Sequence, residues 1–132
     1  MMKDHLEAFK QDFYLFLEGG FVAIKEMDED SALKLFNAAK LLQPLNPLVY
    51  VGYGYIHLCK LELKKAEQEI RHALELDKEN ETAKSLLGVV LSMTQNQLAE
   101  GETLLHDIGS KTKLKEVKNL TNVALDFVDK VI

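Results

Sequence analysis

The sequence predicts an all-α protein built from stacked helical hairpins, and three observations lead to this fold class. The 132-residue chain has only two prolines, Pro44 and Pro47, and both fall in one loop. The alternation of β-branched, aromatic and polar residues that is typical of strands extends nowhere beyond a few residues. Gly20, Gly54 and Gly88 recur every 34 residues. This period is typical of a repeated pair of helices.

The chain divides into seven expected helices with short connections. Hydrophobic periodicity and terminal signals predict helices over residues 3–27, 30–42, 47–60, 64–76, 81–94, 98–108 and 113–131. Consecutive helices joined by a few residues lie antiparallel beside one another, so they form hairpins. Asp28, Glu29 and Asp30 stand just before Ser31, where acidic side chains cap free backbone N–H groups and meet the positive end of the helix dipole.

Small residues mark the expected crossing points of the hairpins. A glycine in a helix interior costs about 1 kcal/mol relative to alanine, so the periodic glycines indicate close packing. Two helices approach closely only where a side chain is missing. The period also superposes small residues of the second helices, which gives a repeat-packing set of Gly20, Gly54, Gly88, Ala32, Ala66, Ala39 and Ala73. In the same way it superposes the bulky residues Phe36, Ile70 and Leu104.

Composition and charge make several classes of partner improbable. The formal net charge is −5, with 21 acidic against 16 basic residues, and the lysines are scattered. Nucleic acid is not an expected partner, because phosphate binding needs clustered positive charge. No apolar run reaches the roughly 20 residues that span a membrane, and the N-terminus lacks the apolar part of a signal peptide. The lone Cys59 fits a reducing compartment. These features predict a cytoplasmic protein that binds neither nucleic acid nor membrane.

The residues that carry chemistry do not form a catalytic or metal-binding pattern. Gly52 and Gly54 lie within a helix instead of between a strand and a helix, so they do not form a phosphate-binding loop. His57 and Cys59 are two residues apart and lie on different sides of a helix, which favours packing roles over a nucleophile pair. The remaining histidines are expected at the surface and are His5, His72 and His106. We expect no enzyme activity, no cofactor and no metal site.

The 34-residue pattern resembles the tetratricopeptide repeat, whose signature is W-x2-L-G-x2-Y followed by A-x3-F and then P. The middle copy matches best, with Tyr50 in the tryptophan column, Tyr53-Gly54 in the Leu-Gly columns, and Ala66 and Ile70 in A-x3-F. The resemblance implies a single domain over 1–132, a short right-handed superhelical stack of three hairpins with a C-terminal capping helix. Its parts are an N-terminal extension 1–12, repeats 13–46, 47–80 and 81–114, and a capping helix 113–132.

The two ends of the stack depart from the repeat pattern. Glu100 and Asp107 stand in the two alanine columns of the third repeat, so the register of its second helix is open to a shift of one residue. The N-terminal extension and the start of the first repeat carry an apolar stripe that includes Leu6, Phe9 and Phe13. This stripe either caps the stack or forms a homodimer face.

In this fold the first helix of each hairpin faces a concave groove, and the resemblance implies that partners bind there. The stripe beside the packing residues gives the partner-binding candidates Tyr14, Leu17, Phe21, Ile24, Leu48, Val51, Tyr55, Leu58, Val89 and Met93. A groove that grips a charged peptide terminus needs several cations, whereas this stripe has only Lys25 at its edge. It suits an amphipathic helix or an extended apolar segment of a protein client. We interpret Gly52 as thinning the helix wall so that a partner's backbone can approach.

Small acidic chains with three such repeats resemble the tetratricopeptide chaperones of bacterial type III secretion systems, here on residues 31–47 and 52–77. The resemblance implies that the client is a needle or translocator subunit, with a second small chaperone in the needle class. It also implies passive holding without a nucleotide. A general scaffold or assembly factor that binds a folded partner is the alternative function. The groove is either open or filled by the chain's own terminal helix.

Overall fold

The computed structural model describes residues 2–115 and 118, with side chains described from residue 10 onward. This part of the chain contains six helices: α1 (Met2–Lys25), α2 (Glu29–Leu42), α3 (Pro47–Cys59), α4 (Leu63–Leu76), α5 (Glu81–Met93) and α6 (Leu98–Lys111). They pack as three consecutive hairpins, α1 with α2, α3 with α4 and α5 with α6. The all-α fold class and the stack of helical hairpins are therefore confirmed. The predicted capping helix 113–132 lies almost wholly outside the described residues.

Side-chain caps set the starts of three helices. Asp28 accepts hydrogen bonds from the backbone N–H of Ser31 at 3.1 Å and from its hydroxyl at 2.6 Å, which confirms the predicted cap of α2. Asn46 accepts from the N–H of Leu48 at 3.0 Å. Asn80, one repeat later, accepts from the N–H of Ala83 at 2.9 Å. These bonds satisfy backbone donors that the first turn of a helix leaves free.

Each hairpin turn contains one residue in the left-handed region. Met27, Leu61 and Asn96 have φ of 61°, 59° and 68°. The first two turns, residues 26–28 and 60–62, have three residues, whereas the third, residues 94–97, has four. The extra residue moves all of α6 one position along the chain relative to the 34-residue period.

This insertion gives the second helix of the third hairpin the one-residue shift in register that the sequence left open, and it corrects the packing partner predicted for Gly88. A methyl group added at Gly20 or Gly54 would lie 2.7 Å from Phe36 or 2.6 Å from Ile70, as the period predicts. At Gly88 the neighbour is Leu105, at 2.7 Å, and not the predicted Leu104. The small residue at the crossing is correspondingly Gly101 and not Glu100. The four alanines of the first two hairpins are fully buried, and they are Ala32, Ala39, Ala66 and Ala73.

Gly52 serves the core and not a partner. A methyl group there would lie 2.5 Å from the Phe36 ring, which is fully buried. Phe36 thus fits between Gly20 of α1 and Gly52 of α3, and it joins the first hairpin to the second. The interpretation of Gly52 as a point of approach for a partner's backbone is wrong, because the space above Gly52 is already filled.

Candidate functional site

The first helices of the hairpins form one layer, in which α1 contacts α3 and α3 contacts α5. We define the inner face as the accessible side chains of this layer among the predicted groove residues. They are Tyr14, Phe21, Ile24, Leu48, Tyr55, Leu58, Val89 and Met93. Tyr14 and Met93 are exposed, at 54% and 36%, and the other six are half-buried. The inner face therefore offers aromatic and aliphatic surface from all three hairpins.

Two predicted groove residues lie in the core. Leu17 is 4% exposed and Val51 is 0% exposed. Both belong to the cluster of buried hydrophobic residues, so they offer no surface to a partner. In the third hairpin, the corresponding stripe of α5 contains two serines. Ser85 and Ser92 donate hydrogen bonds to the carbonyl oxygens of Glu81 and Gly88, at 2.8 and 2.7 Å. Their hydroxyls are satisfied within their own helix.

The centre of the inner face is aromatic and uncharged. The Phe21 ring lies edge-on to Phe36 at 5.1 Å and to Tyr55 at 6.4 Å, which links the surface to the core. Burial raises the pKa of Tyr55 above its ordinary value, so its hydroxyl stays protonated at neutral pH. Between Pro47 and Cys59, α3 contains no Asp, Glu, Lys or Arg. The middle of this surface therefore suits an apolar ligand.

One end of the layer contains a hollow of about 390 Å³, the end hollow. Its lining residues are Ile24, Met27, Glu29, Ile56, Cys59 and Lys60. Lys60 Nζ bridges Glu29 Oε1 at 2.9 Å and Glu62 Oε1 at 3.3 Å, which joins the second hairpin turn to the start of α2. Burial raises the pKa of Cys59, so the thiol is protonated at neutral pH. Sequence periodicity missed the contributions of Met27 and Glu29, since both lie in or next to a turn.

Glu62 is the centre of the charge network beside the end hollow. Its Oε1 lies 3.0 Å from Nδ1 of His57, and its Oε2 lies 3.4 Å from Nζ of Lys65. The hydrogen bond with His57, followed by those with Lys60 and Lys65, lowers the pKa of Glu62 from an ordinary 4.5 to about 2. Because the pKa is depressed in the folded state, the stabilisation is complete above the unfolded-state pKa. It is lost as the pH falls toward 2.

Replacing Glu62 with glutamine is therefore expected to weaken the acid dependence of stability. The wild-type melting temperature should fall between pH 5 and pH 3 by more than that of Glu62→Gln, since glutamine has no proton to gain. Thermal melts followed by circular dichroism across this range measure the difference. Glu75→Gln, at an exposed position of α4, serves as the control and should follow the wild type. Equal acid dependence in all three proteins would contradict the assigned network.

The other titratable side chains are dispersed. The His72 ring lies against Tyr50, with centroids 4.1 Å apart, and His106 lies 3.8 Å from Glu102. His5 lies where only the backbone is described. Among the residues whose side chains are described, 10–115 and 118, no three His, Cys, Asp or Glu side chains are grouped so that they could hold a metal ion. The helices described for this chain include none that is long and apolar enough to span a bilayer.

Comparison with known proteins gives likenesses of fold. Neither a protein-family model nor a curated protein sequence matches the chain. The TPR domain of Arabidopsis OM64 is similar, with a TM-score of 0.70 and 20% identity, over 94% of this chain and 99% of that one. The N-terminal domain of stress-induced protein-1 from C. elegans has a TM-score of 0.60 and 19% identity, over 89% of this chain and 97% of that one. The three stacked hairpins thus have the fold of a tetratricopeptide-repeat domain.

Proposed function

We propose that the protein is a non-enzymatic protein-binding module whose inner face holds an apolar or amphipathic helix of a client protein. The observation that carries this proposal is the absence of Asp, Glu, Lys and Arg from α3, the middle helix of the layer. A surface rich in large apolar side chains on a monomer is typical of a binding site. Aromatic anchors such as Tyr14 and Tyr55 are the residue types that dominate binding energies at protein interfaces.

The dimensions of the inner face favour a helix as the ligand. Leu48, Tyr55 and Leu58 extend along α3 over roughly 15 Å, at about 1.5 Å of rise per residue. A client helix of about three turns would present apolar residues spaced by three, four and seven positions over this length. Lys25, the cation predicted at the edge of this stripe, is exposed. A ligand with an apolar body therefore fits better than a multiply charged terminus.

We further propose that the client is a needle or translocator subunit of a type III secretion system, held in the cytoplasm until it is secreted. The three-hairpin stack, the net charge of −5 and the apolar inner face support this proposal, together with the sequence resemblance described above. Burial of an aggregation-prone client helix requires no nucleotide, so release would follow from competition at the secretion apparatus. The chain would act alone, as a homodimer, or with a second small chaperone.

Tyr14→Asp is expected to reduce client capture at least about tenfold, since loss of an aromatic anchor at an interface costs about 2 kcal/mol or more. The tagged protein is used to capture partners from native lysate, and the recovered proteins are identified and quantified by mass spectrometry. Val22→Asp is the matched control, because Val22 is similarly exposed, at 52%, and lies about 80° away around α1. This variant should capture the client as the wild type does.

Equal recovery with Tyr14→Asp and Val22→Asp would contradict the assignment of the inner face. Recovery of a partner that is folded and soluble by itself would favour the general scaffold over the secretion chaperone. Circular dichroism of both variants establishes that any loss of capture is not a loss of folding. Tyr14 is more than half exposed, so its replacement removes little from the core.

A further inference from the structure

A second surface lies on α2, outside the layer of first helices. Asn37, Lys40, Leu41 and Pro44 line a shallow hollow of about 460 Å³, which we call the outer hollow. None of these residues belongs to the inner face or to the end hollow. The outer hollow has its own polar groups and its own apolar wall, so it is a separate candidate for ligand binding.

Asn37 is fixed with its amide nitrogen available. Tyr53 donates its hydroxyl hydrogen to Oδ1 of Asn37 at 2.5 Å. Burial, followed by the negative charge of Glu69, raises the pKa of Tyr53, so the phenol remains a donor at neutral pH. Glu69 is not among the residues that line the outer hollow. In the part of the chain that the structure describes, Nδ2 of Asn37 donates to no acceptor.

Lys40 is held above aromatic rings and not by a carboxylate. Its Nζ lies 5.9 Å from the ring centroid of Tyr50 and 5.9 Å from that of Tyr53. Tyr50 is itself fixed, since its hydroxyl donates to the carbonyl oxygen of Pro44 at 2.9 Å. Among the described residues Lys40 forms no ion pair. Its positive charge is therefore uncompensated beside the outer hollow, in a chain whose net charge is −5.

The apolar wall of the outer hollow continues past Pro44. Leu41 is 86% exposed and Leu45 is 75% exposed. A second hollow of about 450 Å³, lined by Gln43, Pro44, Leu45, Asn46 and Pro47, adjoins the first at Pro44. Pro44 thus lines both hollows, with the exposed Leu41 in the first and the exposed Leu45 in the second.

We propose that the outer hollow binds an acidic and apolar segment of a partner protein, in which a Glu or Asp side chain is followed by a leucine-like residue. The carboxylate would accept hydrogen bonds from Nζ of Lys40 and Nδ2 of Asn37. The apolar side chain would pack on Leu41, Pro44 and Leu45. Charge complementarity favours this ligand, because the residues that line the hollow include a cation and no acid. The inference is independent of the proposed function, since it concerns a different surface.

Nuclear magnetic resonance titration with blocked dipeptides tests this proposal. The ¹⁵N-labelled protein is titrated with acetyl-Glu-Leu-amide and, as the matched control, with acetyl-Gln-Leu-amide. The acidic peptide is expected to shift the side-chain amide of Asn37 and the backbone amides of Leu41 and Leu45. It should bind about fivefold more tightly than the neutral peptide, which is the upper range for an ion pair at an exposed site.

Two variants connect the effect to the outer hollow. Lys40→Met keeps the aliphatic stem of the side chain but removes its charge, and it should bring the two peptides to equal affinity. Lys34→Gln changes another exposed lysine of α2 that does not line the hollow, and it should retain the preference. Equal affinity of the two peptides for the wild type would overturn the proposal. So would a preference retained by Lys40→Met, or shifts centred on the inner face.

Discussion

Replacing Phe36 with alanine is expected to lower the free energy of unfolding by about 3 to 5 kcal/mol, the range for deletion of a buried aromatic side chain. The Phe36 ring is fully buried, and it lies edge-on to Phe21 at 5.1 Å and to Tyr53 at 6.2 Å. The backbone at Gly20 and Gly52 is so close that neither position has room for a methyl group beside the ring. The surroundings cannot collapse into the space because two helices hold it open.

The position of Phe36 also predicts how the variant unfolds. The ring packs against α1 of its own hairpin and against α3 of the next, so its removal weakens both the first hairpin and its junction with the second. In a stacked repeat protein, stability is a sum of terms for each repeat and for each junction. Urea titration of Phe36→Ala should therefore show a lower midpoint and a broader transition than the wild type.

Leu41→Ala is the control for this measurement. Leu41 lies on the same helix but is 86% exposed, so its truncation should change the free energy of unfolding by no more than about 0.5 kcal/mol. A loss below about 1.5 kcal/mol for Phe36→Ala would contradict the assignment of Phe36 to the junction. It would mean that neighbouring side chains can fill the space.

The helices and the first two hairpins could be predicted because their determinants are local or periodic. Asn46 and Asn80 cap equivalent helices one period apart, and both precede a strong helical pattern. Gly20 and Gly54 meet bulky residues 16 positions later, at Phe36 and Ile70, so a single alignment finds both crossings. Such contacts are within one hairpin, where chain connectivity fixes the geometry.

The packing of the third hairpin and the packing of Gly52 could not be predicted from the 34-residue period, for two different reasons. The extra residue of the third turn is visible only when Asn96 is seen in the left-handed region, 35 positions after Leu61. Gly52 packs against Phe36 of the preceding hairpin, a contact between repeats that a comparison of equivalent columns does not reveal. No residue of its own hairpin accounts for Gly52, so the sequence pattern alone favours a role toward a partner.

The candidate surfaces were only partly accessible to prediction. Helical periodicity finds which residues share a face, but not how far a neighbouring helix covers that face. Leu17 and Val51 therefore entered the predicted groove although both are buried. The end hollow and the outer hollow each combine residues from a turn with residues of a helix, and periodicity gives no register for turns. The predicted use of the inner face by a partner stays a prediction until binding is measured.

Gly101→Ala is expected to lower the free energy of unfolding by roughly 1 to 3 kcal/mol, although alanine is the better helix former by about 1 kcal/mol. A methyl group at Gly101 would lie 2.5 Å from the backbone nitrogen of Ser92 and 2.8 Å from the carbonyl oxygen of Gly88. These neighbours are backbone atoms of α5, so they cannot rotate away. The only relief is for α5 and α6 to move apart, which loosens the core between them.

Gly19→Ala is expected to raise the free energy of unfolding. Comparison of the two variants separates the effect of packing from that of helix propensity. At Gly19 the nearest neighbour of an added methyl group is the flexible end of Leu35, with Cδ1 at 3.1 Å. Leu35 can turn aside at little cost, so the propensity gain of up to about 1 kcal/mol should remain. Denaturant titration measures the change in the free energy of unfolding of each variant when the slope m equals that of the wild type. If both substitutions changed the free energy of unfolding in the same direction, the close approach of α5 and α6 would not be the reason that position 101 requires glycine.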